Sequence, residues 1–305
     1  MSNMKVNIAG VELKNPLVTA SGTFGFGKEY NEYFDISCLG AIAVKGLTRY
    51  EKQGNKPPRI AETPQGILNS VGLQNPGLEH FIQHELPELK KFDTKIIANY
   101  AGTSKEEFVE MTEMLGETDV DLLEMNVSCP NVKHGGAAFG TNAQMIFDLT
   151  QAVKKVAKQP LIVKLTPNVT DITEMARAAR DGGADALSLI NTLYGMRIDI
   201  NTRRPVLAMN AGGFSGPAVK PVAVRMVWQV ANAVDLPIIG MDGIATGEDA
   251  VEFMMAGATA VSVGTALFND PWCPPAIIQG IEDYMAKKGI EDVREITGSV
   301  IPHQV

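Results

Sequence analysis

The chain has 305 residues, 45% apolar and 20% charged, with three cysteines and a net charge of −8. That length buries a large core without disulfides or metals, and the acidic balance offers no basic footprint for nucleic acid or an anionic membrane. There is no run of about 18 apolar residues to span a bilayer, and Cys38, Cys129 and Cys273 are too few and too scattered for a disulfide framework or a cysteine metal site.

The opening MKVNIAGVELKNP reads as a small hairpin turning at Ala9-Gly10, and it lacks the layout of a secretory signal. Eight short β-branched runs follow. They are NPLVTAS from Asn15, GAIAVKGL from Gly40, KIIANYAG from Lys95 and DLLEMNVSCP from Asp121, then PLIVKLTP from Pro160, ALSLINT from Ala186, PIIGMDGI from Pro237 and AVSVGTAL from Ala260. Their apolar residues are near-continuous, as in parallel strands covered on both faces. Amphipathic stretches lie between most of them. The clearest predicts a helix from Pro217 to Val234, with an apolar stripe at 3.6-residue spacing. Another starts near Thr246, with Asp249 completing a capping box. Eight β-then-α units predict an α/β fold, a (β/α)8 barrel forming one domain over 1–305. A doubly wound open sheet is the alternative. The long stretches Thr48–Thr94 and Leu193–Gly216 follow strands two and six, on the face where barrels carry their chemistry. The compartment expected is the cytoplasm.

Cys129 sits in Asn126-Val127-Ser128-Cys129-Pro130-Asn131, directly after the fourth strand. A lone free cysteine is more often a small buried hydrophobe. A strand-end thiol between two asparagines instead suits a nucleophile or general base beside an amide-bearing ligand. The segment Lys133 to Gly140 has three glycines and suits either a lid or a plain connection. Lys45 and Lys164 interrupt apolar strands, where a lysine serves as a Schiff-base nucleophile or a fixed charge for an anion. Gly243, Gly264-Thr265 and Ser215-Gly216-Pro217 stand where barrels bind phosphate, after strands seven and eight and at a helix start. No metal-ligand spacing and no dinucleotide fingerprint is present.

On these motifs the sequence resembles the dihydroorotate dehydrogenases, flavin mononucleotide (FMN) enzymes of pyrimidine synthesis on a (β/α)8 barrel. The likeness runs from NPLVTASGTFG to SVGTALF, through VKG at Lys45, NSVGLQNPG at Asn69, NVSCPN at Asn126, VKL at Lys164 and INT at Ile190. NSVGLQNPG and CPNVKHGGAAFG are similar to class 1B catalytic subunits. The resemblance implies one FMN per chain. It also implies a homodimer within a heterotetramer, whose second polypeptide carries FAD and a [2Fe-2S] cluster and passes electrons to NAD. By the same resemblance, Cys129 takes a proton from C5 of dihydroorotate while a hydride leaves C6 for the flavin. Asn69, Asn126, Asn131, Asn191 and Thr192 hold the pyrimidine, with Lys45 and the backbone of Ser70, Val71, Gly72 and Leu73. Ser21, Lys45, Gly46, Asn99, Asn126, Lys164 and Ile190 form the flavin pocket. Gly216, Asp242, Gly243, Gly264 and Thr265 grip its phosphate. Asp242 replaces a glycine common in the family, so its carboxylate must point away or be offset by a cation. Three other readings stay open: a stand-alone, fumarate-linked class 1A enzyme, an aldolase-like barrel forming a Schiff base on Lys164 or Lys45, and a non-catalytic flavin or phosphate carrier.

Overall fold

The computed structural model describes residues 2–127 and 139–303. The chain enters as a hairpin, β1 (Val6–Ile8) against β2 (Val11–Leu13), as predicted. Ala9 and Gly10 take φ of 51° and 92°, the pair of positive values that matches hairpin twist, and the Asn7 side chain accepts the Gly10 N–H at 2.8 Å.

All eight predicted runs contain barrel strands. β3 (Leu17–Thr19) and β4 (Ala41–Ala43) start the barrel. The chain leaves it for β5 (Ile60–Thr63) and β6 (Gly66–Asn69). β7 (Lys95–Tyr100), β8 (Leu122–Asn126), β9 (Leu161–Lys164) and β10 (Ala186–Leu189) return to it. A second excursion holds β11 (Leu193–Gly195), β12 (Ile198–Asp199), β13 (Arg204–Pro205) and β14 (Gly212–Ser215). β15 (Ile238–Met241) and β16 (Ala260–Val263) complete the circuit. β16 pairs in parallel with β3, Val261 opposite Leu17, so the sheet closes and the open-sheet alternative falls. Nearly every residue of the eight barrel strands is buried, because side chains facing inward fill the barrel and those facing outward meet helices.

Four of the helices between strands start on side-chain caps. Ser104, Asn142 and Asp171 each accept a first-turn N–H, and Thr246 and Asp249 form the predicted capping box. The Pro217–Val234 prediction needs correction. Pro217–Val219 is a 3-10 turn and the α-helix runs only over Lys220–Ala231. Pro221 has no N–H to give the Pro217 carbonyl, so one continuous α-helix cannot start at Pro217. The buried stripe itself is Ala223, Met226, Val227 and Val230.

The two long connections are not bare loops. β5, β6, β14 and β11 form a four-stranded antiparallel sheet in the order β11-β14-β6-β5, and β12 and β13 pair as a separate ribbon. Ala61, Leu68 and Leu207 give this sheet a small apolar centre of its own. No helix among the described residues is long and apolar enough to cross a membrane.

Candidate active site

The carboxyl ends of the barrel strands and the overlying sheet enclose one cavity. Lys45 and Gly46 reach it from the end of β4, Asn99 from β7, Asn126 from β8, Lys164 from β9, and Ile190, Asn191 and Thr192 from just past β10. The sheet contributes Ile60, Ile67, Asn69 and Ser215, and the loop after β6 adds Val71, Gly72 and Leu73. Ser21 enters from the end of β3.

Backbone ladders carry these side chains past the strand ends. The Leu47 N–H donates to the Asn99 carbonyl at 2.9 Å, Ile190 to Met241 at 3.2 Å, and Asn191 to Leu165 at 3.0 Å. The Asn191 amide donates to Asn126 Oδ1 at 3.4 Å, and Asn191 Oδ1 accepts the Thr192 N–H at 2.8 Å. A Cβ on Gly46 would lie 2.9 Å from Asn99 Oδ1, so the bare backbone leaves Asn99 Oδ1 its place in the wall. In the loop after β6, Gly72 (φ 78°) and Leu73 (φ 55°) turn left-handed against Asn55, whose amide donates to the Ser70 carbonyl at 2.8 Å. Ser70 itself is fully buried behind the wall, not on it.

Beneath the cavity lies an interior polar cluster. Lys164 Nζ is 3.8 Å from the Glu124 carboxylate, and both side chains are over nine-tenths buried. Glu124 also accepts from the Ser188 hydroxyl at 2.6 Å and from the Asn99 amide. Glu124 and Ser188 were not among the predicted site residues. Their only signal was a polar residue inside a short apolar stretch, Glu124 in LLEM and Ser188 in ALSL.

Four of the five residues expected at the glycine corner come together at the cavity. Gly243, Gly264 and Thr265 line the cavity with Asp242, and Thr265 donates to the Ser215 hydroxyl at 2.8 Å. Gly216 is not on the wall; its N–H donates to Asp242 Oδ1 at 2.9 Å. Asp242 therefore turns its carboxylate onto the backbone of the neighbouring loop. Burial pushes its carboxyl up to about 7, against the opposing pull of the Gly216 N–H and the Lys164 charge. Met241, Ser262, Thr23 and Phe268 also line the cavity and were not anticipated.

Cys129, Asn131 and the Lys133–Ala138 part of the glycine-rich segment lie outside the described residues. Burial pushes the other two thiols away from reactivity, Cys38 up to about 11 and Cys273 up to about 12.

The family described as dihydroorotate dehydrogenase matches residues 3–285 of the chain. The chain is 63% identical over 298 residues to the "dihydroorotate dehydrogenase B (NAD(+)), catalytic subunit" of Alkaliphilus metalliredigens, covering 98% of this chain and 99% of that one. It is 59% and 57% identical to the proteins of the same description in Lachnoclostridium phytofermentans and Thermoanaerobacter pseudethanolicus, with the same coverage of both chains.

Proposed function

Because this chain belongs to the dihydroorotate dehydrogenase family, we propose that it is the FMN-dependent catalytic subunit that oxidises (S)-dihydroorotate to orotate in pyrimidine biosynthesis. The observation that carries the reading is the cavity. It offers two lysines and four asparagines at the strand ends, as a planar, amide-rich, carboxylate-bearing substrate requires.

The residues present fit a flavin. Asn99 Oδ1 and Ser262 Oγ are buried at the cavity without a partner, and a bound ring system with polar edges satisfies such atoms. Ser21, Lys45, Gly46, Asn99, Asn126, Lys164 and Ile190 would hold the ring, and Ser215, Gly243, Gly264 and Thr265 its phosphate, with Gly216 and Asp242 adjoining. When bound, FMN supplies the acceptor for the C6 hydride and both electrons. Lys164 fixes a positive charge under the cavity, and Glu124 fixes Lys164. Asn69, Asn126, Asn131, Asn191 and Thr192 orient the pyrimidine, aided by Lys45 and the backbone from Ser70 to Leu73. Cys129, three residues beyond the end of β8, accepts the C5 proton, so that loss of proton and hydride leaves the C5=C6 bond of orotate.

The chain works as one FMN-binding barrel domain, 1–305, in the cytoplasm. Electrons leave for NAD through a partner chain carrying FAD and [2Fe-2S], in a heterotetramer built on a homodimer of this subunit. The name the relatives share, an NAD(+)-linked "catalytic subunit", supports a division of labour. The Lys164–Glu124 ion pair counts against a Schiff-base lysine, whose nucleophilic form is neutral.

The test is an anaerobic titration with dihydroorotate followed by flavin absorbance. Bleaching is expected, with slow reoxidation by fumarate and by NAD unless the partner chain is added. Colourless protein from a flavin-replete preparation overturns the flavin reading. Rapid fumarate reduction by the isolated chain overturns the partner-linked one.

A further inference from the structure

We propose that the Asp242 carboxylate is a resident stand-in for the cofactor's phosphate at the Gly216 amide, so that phosphate loading at this corner requires Asp242 to be protonated. The inference rests on the FMN reading and goes beyond it, since a glycine at this position would have no such group.

The geometry comes from three loops. Gly216 opens the Pro217–Val219 turn that leads into the Lys220–Ala231 helix, where backbone N–H groups are left without helical partners. Its N–H donates to Asp242 Oδ1 at 2.9 Å and is thereby taken off the cavity wall. A Cβ on Gly216 would lie 2.7 Å from the Gly66 backbone, and one on Gly243 would lie 2.6 Å from Lys220. The corner is thus closed by backbone on both sides. Asp242 occupies it at φ 91°, a left-handed value that favours glycine over a branched polar residue. Its Oδ2 is sealed from solvent and has no hydrogen-bond partner. A carboxylate held this way, with one oxygen satisfied and one orphaned, is poorly stabilised as an anion.

A phosphate dianion placed here meets that carboxylate directly. Two anions in contact in a desolvated corner do not both stay ionised. A protonated Asp242 presents no charge to the phosphate, so the two groups can share the corner. The charged groups around it are few. Among the described lining residues they are Lys45 and Lys164, and Lys164 is already opposed by Glu124. On the helix behind Gly243, Lys220 is engaged by Asp249 and Glu252, each at 2.7 Å. Burial already holds the free carboxyl near neutrality, at about 7.

The sign follows from linkage. A bound phosphate favours protonated Asp242, so FMN takes up a proton as it binds and its affinity falls as pH rises past about 7. A phosphate monoester loses its second proton around pH 6, so its own titration is nearly complete by about pH 7.5. The experiment measures the FMN dissociation constant of the purified holoprotein from flavin fluorescence released on serial dilution, between about pH 7.5 and about pH 9. Wild type is expected to loosen by up to about tenfold per pH unit. Asp242→Asn and Asp242→Gly are each expected to lose this slope and to bind FMN more tightly at the alkaline end. Riboflavin exchanged into the wild-type protein, having no phosphate, is expected to show no slope. Equal FMN slopes in wild type and in either folded variant overturn the inference while leaving FMN as the cofactor. Failure of FMN to bind at every pH overturns the flavin reading itself.

Discussion

Glu124 and Lys164 face each other inside the barrel, carboxylate and ammonium 3.8 Å apart, with the Asn99 amide and Ser188 hydroxyl on the same carboxylate. Four strands meet in that cluster, and it lies directly under the candidate active site. Glu124→Gln keeps the shape and removes the countercharge, leaving Lys164 buried and unpaired. Breaking a buried pair from one side costs about 3–5 kcal/mol, and the retained amide contacts place this variant near the lower end. The midpoint of urea unfolding should fall accordingly. The flavin's reduction potential should rise, because an uncompensated cation favours the reduced anion. An unchanged unfolding midpoint would show that Lys164 does not depend on Glu124.

Cys129→Ser tests the proton acceptor. A hydroxyl is a far weaker base than a thiolate near neutrality, so dihydroorotate should bleach the flavin at least about 100-fold more slowly. The rate should recover as pH is raised, and the FMN content of the purified variant should match wild type. Stopped-flow absorbance at several pH values separates these effects. Equal bleaching rates at neutral pH would remove Cys129 from the role.

The barrel was legible because parallel strands buried on both faces leave continuous apolar runs, such as KIIANY in β7 and LIVK in β9, and these are hard to mistake. The overlying sheet was not. Its strands are three or four residues long, and GGFS and GILN carry glycine where a strand signal needs β-branched residues. Their stability comes from pairing partners far along the chain, Gly213 with Asn69 for instance, which no local window sees. The strand-end lysines and asparagines stood out because polar residues interrupt apolar runs. Glu124 and Ser188 interrupt such runs too, yet their meaning lies in a contact spanning 64 residues. Asp242 was legible as an anomaly, but which way it turns depended on the Gly216 N–H.

Gly213→Ala tests how β14 sets the substrate wall. A Cβ at Gly213 would lie 1.9 Å from Thr192 Oγ1 and 2.6 Å from Thr192 Cβ. β14 is paired on both sides, with β11 and with β6, so its backbone cannot retreat and Thr192 must move. The KM for dihydroorotate should rise about fivefold, the equivalent of one hydrogen bond worth about 1 kcal/mol. The flavin absorbance spectrum should stay as in wild type. A spectral change without a KM change would assign Thr192 to the flavin side of the cavity instead.

Asp249 ties three segments together, and its charge should be visible in the acid limb of stability. Its carboxylate accepts the Ala245 and Thr246 N–H groups at 3.0 and 2.9 Å and the Lys220 ammonium at 2.7 Å. Burial alone would raise its pKa, but the Lys220 hydrogen bond, the Ala245 N–H and Thr246 outweigh it and hold the carboxyl below its ordinary 3.8. A carboxyl lowered in the folded state stabilises fully above the unfolded value and loses that contribution as pH falls through the folded one. Asp249→Asn keeps one acceptor and leaves the Lys220–Glu252 pair in place, so the loss at neutral pH should be about 1 kcal/mol. The gap between the urea midpoints of wild type and variant should therefore be constant from neutral pH down to about 4 and close below it. A gap of the same size at about pH 3 as at about pH 7 would mean that the charge on Asp249 adds nothing to the cap, and that its hydrogen-bonding shape alone is what the helix uses.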